Sequence, residues 1–239
     1  DFSAGEFVRK AEQAIESVEK SGKLPILVGG TYFYLRALQH GMYPQNAFTL
    51  ESVEAIEKEF NTESEQYDPK LVEALRAVDP ASAEKIHAND RYRLVRALAY
   101  FRSTGQPASL QKPVPLSSAS LNRLWIKYAL AVPRHQLSQA IVERTDKMLS
   151  QGLIEETRLL KEKHPKARAL ESIGYAEAVR FLDKQIDQTQ LRNEIIEKTR
   201  QLAKRQITWL RSDPEVRFVD KDDLGRIELE VSNLKTVLG

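Results

Sequence analysis

The sequence predicts an α/β protein with a parallel sheet and a small all-helical insert, on three observations. A helix-periodic stretch leads into the apolar string Leu24-Pro25-Ile26-Leu27-Val28, then a double-glycine turn, then a second helix, the order of a parallel α/β unit. From about residue 46 to 88 the pattern is purely helical. Two further strand-like strings, Leu124 to Val132 and Val216 to Val219, flank a long helical region.

Composition fits that class. At 239 residues with 41% hydrophobic and 29% charged side chains, the chain can bury a core, which argues against wholesale disorder. A net charge of only +2 does not announce a nucleic-acid binder, so any such surface must come from local clustering of Lys and Arg. No cysteine is present, which excludes disulfides and thiolate metal sites and fits a reducing, cytoplasmic compartment. The four histidines show no metal-ligand spacing, and no apolar run approaches the ~20 residues of a membrane span. The chain opens at Asp1 without Met and enters a helix almost at once, so a preceding segment outside these residues is expected.

Taken in order, Phe7, Val8, Ala11, Ala14, Ile15 and Val18 recur at helical spacing before Gly22, and Leu24 to Val28 reads as a short, fully buried strand. Tyr32 to Leu38 is helical and Gly41 stops it. In the insert, Leu50, Val53, Ile56 and Phe60 mark one helix, and Asp68-Pro69 and Asp79-Pro80 start two more. Each of these prolines sits at the first helical position, where its missing N–H costs nothing. Asn89-Asp90 caps a helix ended by Gly105, and a Pro/Ser-rich loop leads to the strand at 124–132. Pro133 opens a helix stopped by Gly152; another helix, the loop Leu170 to Tyr175 and a helix to Leu182 follow. The longest helix spans about Thr189 to Arg211, and a charged tail follows the strand at 216–219.

Four places carry possible chemistry. Gly29-Gly30-Thr31 opens a helix, where backbone N–H groups bind phosphate and glycines admit a ligand to the backbone; the alternative is a tight turn that Thr31 merely caps. The helix after Asp90 carries Arg91, Arg93, Arg96 and Arg102, whose guanidinium forks suit phosphate oxygens or simply make a solvated face. Arg144 lies among Leu137, Ile141 and Met148, near the buried side, and there needs an anion: Glu143, Glu156 or a ligand phosphate. Finally, Lys198 to Arg211 holds Lys198, Arg200, Lys204, Arg205 and Arg211 with no acid among them. Like charges repel at i,i+4 spacing, and a phosphate backbone relieves that repulsion; a bland basic face is the alternative.

Five strings, in order, resemble the tRNA dimethylallyltransferase (isopentenyltransferase) family: LPILVGGT at 24–31, NDRYRLVRAL at 89–98, RTDKMLSQG at 144–152 with Glu156, IGY at 173–175, and TRQLAKRQITWLR at 199–211. They span nearly the whole chain. The resemblance implies a P-loop-type parallel sheet core over 1–45 and 89–239, with the helical insert at 46–88 gripping an anticodon stem. It implies transfer of the dimethylallyl group of dimethylallyl diphosphate to the exocyclic amine of a flipped-out adenine beside the tRNA anticodon, with Mg²⁺ as cofactor and a monomer as the working form. Another P-loop enzyme such as a small-molecule kinase, or a silent RNA-binding module, are the alternatives.

By motif match, Thr31 and Arg144 take catalytic roles, Arg144 on the diphosphate, while Gly29, Gly30, Arg93 and Arg96 line the substrate site. Contacts to tRNA fall to Tyr92, Arg93, Leu94, Val95 and Arg96; to Glu171, Ser172, Ile173, Gly174, Tyr175 and Ala176; and to Lys204, Arg205, Gln206, Ile207, Thr208, Trp209, Leu210 and Arg211. The family's GxxxxGKT loop and Asp-Ser-x-Gln segment, which supply the general base and the main Mg²⁺ and diphosphate ligands, have no counterpart in these residues, so the 239-residue chain alone is expected not to catalyse. Ala176 stands where the family carries Arg or Lys, and no Arg lies near Val53.

Overall fold

A computed structural model of the protein describes residues 2–42, 49–60, 68–114 and 123–238. The first turns of the 106–122 loop are described; its remainder from 115 to 122 lies outside these residues. The chain divides into two compact units, one of residues 1–3, 15–33 and 124–239, the other of residues 4–14 and 34–123. Helix α1 (Ala4–Lys20) and helix α2 (Tyr32–His40) each contribute to both.

The second unit is helical where its sequence is capped for helix. Helices α3 (Leu50–Glu59), α4 (Pro69–Val78), α5 (Pro80–Lys85) and α6 (Arg91–Thr104) start at Thr49, Asp68, Asp79 and Asp90, each of whose side chains accepts a backbone N–H of the first turn. Gly105 ends α6 in the left-handed region at φ 71°, where a side chain would be strained. Ile56, Leu71, Leu75, Leu94, Val95 and Leu98 meet in one buried cluster, so α6 packs with the helices of 50–85 and the packing extends past residue 88.

The first unit holds a two-stranded parallel sheet. Strand β1 (Lys127–Leu130) pairs with β2 (Val216–Val219) in the register Lys127 to Val216 through Leu130 to Val219. Helices α7 (Arg134–Ser150), α8 (Leu153–Lys163), α9 (Tyr175–Leu182) and α10 (Gln188–Arg211) form the crossover between them. Their core gathers Leu153, Ala178, Ile186, Leu191 and Ile195, with Met148, Ile173, Tyr175 and Phe181 packed on it. The 3.6-residue stripes of four helices therefore close on one another, and the sheet is small.

Two sequence readings are corrected. Residues 24–28 form no strand: Ile26 is 74% and Val28 94% exposed. An apolar run becomes a strand only when a neighbour takes its N–H and C=O groups, and among the described residues none pairs with this segment. The charged tail is instead helix α11 (Leu224–Leu238), tied down where Glu230 accepts the Tyr128 hydroxyl at 2.6 Å and Arg217 at 2.7 Å.

Asp79 is the most economical joint of the helical unit. It is 1% exposed, and its two oxygens accept Ser82 N–H at 3.1 Å and Ser109 N–H at 2.8 Å, joining the start of α5 to the loop after α6. Burial alone would raise its pKa, but the donors at Ser109 and Ser82 outweigh that and hold it below the ordinary carboxylate value. Replacing Asp79 with Ala orphans both N–H groups and should cost about 2–4 kcal/mol in urea denaturation. The contribution of a lowered carboxylate is full above its unfolded pKa of about 4 and disappears as pH falls through the folded value, so Asp79→Ala should also lose that part of the acid sensitivity.

Candidate active site and nucleic-acid interface

The Gly29-Gly30-Thr31 turn is fastened by the end of α10. Gln206 donates its side-chain amide to the Gly30 carbonyl at 2.8 Å, and the same carbonyl accepts Tyr32 N–H at 3.1 Å. Trp209 meets the rings of Tyr32 and Phe33 edge-on, both at 6.4 Å between centroids. The Tyr32 hydroxyl donates to Asp213, just past the helix end, and Lys127 on β1 reaches the same carboxylate at 2.6 Å. Thr31 does not cap α2: it is exposed, and its hydroxyl makes no hydrogen bond among the described residues.

The two glycines differ. A Cβ on Gly30 would come 3.0 Å from the Gln206 amide nitrogen, so a side chain there would push that amide aside. A Cβ on Gly29 would meet nothing within 4 Å, so the described packing places no demand on that position.

The basic helix divides by face. Lys198 is bound to Glu177 of α9 at 2.6 Å, with Glu194 of its own helix at 4.0 Å. Arg200, Lys204, Arg205, Thr208 and Arg211 are exposed, and among the described residues none of the four cations has an acidic partner. Gln206, Ile207 and Leu210 are half-buried, and Trp209 is 37% exposed with its ring against α2. The run expected to face RNA as a block therefore holds both outward cations and inward clamps.

Glu177 also sets the turn before α9. It is 1% exposed, accepts the Gly174 N–H at 2.6 Å through one oxygen and binds Lys198 through the other. Gly174 sits at φ 100°, where any side chain would be strained, although a Cβ there would meet Met148 Cε only at an ordinary 3.4 Å. Glu171, Ser172 and Ala176 lie on the open or half-open side of this turn, Ile173 packs on the core, and the Tyr175 hydroxyl donates to Glu156 at 2.5 Å. Sequence reading passed over Glu177; a Glu three residues after the residue that opens a helix is the spacing that could have found it.

Arg144 corrects its expectation. It is exposed rather than near the buried side, because Ile141 and Thr145 take the inner face of α7. Neither suggested acid holds it: Glu143 accepts Gln139 and Glu156 accepts Tyr175.

In the helical unit, α6 splits its arginines. Arg91 donates to the Phe60 carbonyl at 2.8 Å and lies 3.7 Å from buried Asp68, while Arg102 pairs with Glu59 and lies over the Phe60 ring. These two are structural. Arg93 points outward with Asp90 at 2.9 Å, and the Arg96 guanidinium stacks 5.3 Å from the ring of Tyr92, itself 70% exposed. Leu94 and Val95, placed with them by the motif, are 1% and 2% exposed and belong to the core, so their side chains are not available to a ligand.

Among the described residues no three acidic or histidine side chains come together to hold a cation, so these residues do not by themselves fit a Mg²⁺ site. No helix among them is long and apolar enough to cross a membrane.

A mostly helical α/β chain with a small parallel sheet and an unpaired basic helix face is the class these features define. The sequence pattern of the IPP transferase family matches residues 1–213, and the chain belongs to that family. A tRNA dimethylallyltransferase of Ralstonia nicotianae is 37% identical over 229 residues, which cover 92% of this chain and 70% of that protein. Two crystal structures are similar: the tRNA Δ2-isopentenylpyrophosphate transferase of Staphylococcus epidermidis is 28% identical with a TM-score of 0.59, covering 98% of this chain and 77% of that one. The full-length tRNA isopentenylpyrophosphate transferase of Bacillus halodurans is 26% identical with a TM-score of 0.64, covering 100% and 76%.

The Asp213 carboxylate supplies a test of the clamp. Burial would raise its pKa, but Lys127, the Tyr32 hydroxyl and the Glu215 N–H together hold it down to about 2. A depressed carboxylate stabilises fully above its unfolded pKa of about 4 and loses that contribution as pH falls toward its folded value. Acid unfolding followed by tryptophan fluorescence should therefore show a component between pH ~4 and ~2 that Asp213→Asn lacks. The same variant should be less stable at pH 7 by about 1–3 kcal/mol.

Proposed function

We propose that this protein transfers the dimethylallyl group of dimethylallyl diphosphate to the exocyclic amine of the adenine next to the anticodon of tRNA, in the cytoplasm, from a P-loop-type core. Family membership supports the reaction class, and one observation of this chain carries the rest. The cations Arg200, Lys204, Arg205 and Arg211 lie exposed and unpaired among the described residues, on the helix that also fastens the Gly29-Gly30-Thr31 turn. A kinase of small molecules gains nothing from such a face.

In the reaction the adenine N6 lone pair attacks the allylic carbon, the carbon–oxygen bond to diphosphate breaks, and diphosphate leaves with the bonding pair. The amine then gives up one proton to the departing diphosphate or to water, so adenine gains C5H8 overall. Charge grows on the departing oxygens, and donors preorganised there lower the barrier. Thr31 suits that place with an exposed hydroxyl and N–H, and Gly29 leaves the backbone open to approach. Arg144, exposed and held by neither Glu143 nor Glu156, is the candidate for the diphosphate. Mg²⁺, where bound, would supply counter-charge to the diphosphate.

For tRNA, the outward residues are the candidates: Tyr92, Arg93 and Arg96 on α6; Glu171, Ser172 and Ala176 before and at the start of α9; and Lys204, Arg205, Thr208 and Arg211 on α10. The decisive experiment is mass spectrometry of tRNA nucleosides from cells with and without the gene. Adenosine carrying one C5H8 unit should vanish from anticodon-adjacent positions when the gene is deleted, and unchanged tRNA overturns the reading.

The basic face is testable on the chain itself. Stem-loop binding should weaken steeply with salt as counterions are released. Lys204→Ala should flatten that slope by roughly one unit, equally for cognate and non-cognate loops. Circular dichroism should show the fold unchanged.

A further inference from the structure

The residues of α10 that clamp the glycine turn and those that lie free in solvent are on opposite sides of the same turns. At 100° per residue, Lys204 stands roughly 160° around the helix from Gln206, and Thr208 and Arg211 fall within about 40° of the opposite pole. Gln206 and Trp209, three apart, point toward the turn; Arg200, Lys204, Thr208 and Arg211 point away. We infer that Gln206 is a positioning residue, which orients the Gly30–Thr31 peptide toward an anionic ligand. The orientation of the turn does not rest on the tRNA reading above.

The physical argument is the geometry of a trans peptide. The Gly30 carbonyl accepts two donors, the Gln206 amide at 2.8 Å and Tyr32 N–H at 3.1 Å, so both of its lone pairs are committed. A carbonyl and the following N–H are coplanar and point in opposite directions. Fixing the Gly30 oxygen toward α10 therefore fixes the Thr31 N–H away from it. That N–H makes no hydrogen bond among the described residues, and the Thr31 hydroxyl beside it makes none either. The Thr31 N–H, held in one direction by a side chain from another element and lying beside an unused hydroxyl, is a preorganised donor for an anionic oxygen. Without Gln206 the Gly29–Gly30 backbone, with its many accessible conformations, would hold that direction less well. Gly30 fits this account, since a Cβ there would crowd the Gln206 amide at 3.0 Å.

Hydrogen exchange of the 29–33 amides, read by mass spectrometry with and without an anticodon stem-loop, tests the inference in the wild-type chain and three variants. In Gln206→Ala and in Gln206→Glu, which keeps the shape but has no N–H to donate, the turn should exchange about 5- to 10-fold faster. Stem-loop affinity and its salt slope should stay within about twofold of wild type, in contrast to Lys204→Ala. Gln206→Met keeps the packing, and wild-type exchange in it would overturn the hydrogen-bond role. Unchanged exchange in Gln206→Ala, or weaker RNA binding with a flattened salt slope, would also overturn it and make Gln206 a direct RNA contact. If RNA binds neither the variants nor the wild type, the tRNA reading fails, while exchange in the free protein still decides whether Gln206 orients the turn.

Discussion

A helix of 24 residues can bury only one stripe at a time, and α10 changes partner along its length. Leu191, Ile195 and Ile196 in its first half enter the core formed with α7, α8 and α9. At Lys198 the contact becomes ionic, with buried Glu177. From Gln206 onward the helix leaves the core and holds a loop, through an amide, an indole and the acid just past its end. The first half supplies the rigidity that makes the second half precise: a side chain reaching a carbonyl at 2.8 Å is useful for orientation only if its helix cannot roll.

Charge is distributed by the same logic. Taking an ion from water costs several kcal/mol unless partners replace the solvent, and the inner charges here are satisfied in that way. Glu177 has the Gly174 N–H and Lys198; Asp213 has Tyr32, Lys127 and the Glu215 N–H. The outer cations of α10 have no such partners among the described residues, although acids are nearly as numerous as bases in the chain as a whole. A near-neutral protein thus presents a local positive face because its acids lie on other parts of the chain, which is why net charge concealed it.

What could be read in the sequence was mainly what is encoded locally. Asp68-Pro69, Asp79-Pro80 and Asn89-Asp90 mark helix starts because capping is settled within three residues, and Gly22, Gly41 and Gly105 mark ends because positive φ favours glycine. Long-range matters were less legible. Leu24 to Val28 has the composition of a buried strand, but composition encodes a preference for burial and not the presence of a neighbour. Arg144 was placed near the core because Ile141 and Met148 flank it, whereas one residue further on Thr145 takes the inner position. In α6 the four arginines look alike in sequence; only the position of Glu59, Phe60 and Asp68 separates the structural pair from Arg93 and Arg96. The motif at 204–211 was visible as a block, but its division into clamp and open face depends on what lies across from it.

The two glycines of the turn show how far a motif can be resolved into causes. Both are glycine in the same string, and both would be explained alike by a demand for a tight turn. Neither has the positive φ that such a demand commonly brings. Gly30 is explained by the approach of Gln206, a contact 176 residues away in sequence. Gly29 is explained by nothing in the described fold, for its missing side chain would point into open space. A residue whose identity the packing does not require is where a requirement from outside the fold can act, and an exposed backbone beside two unused donors of Thr31 is suited to an anionic ligand.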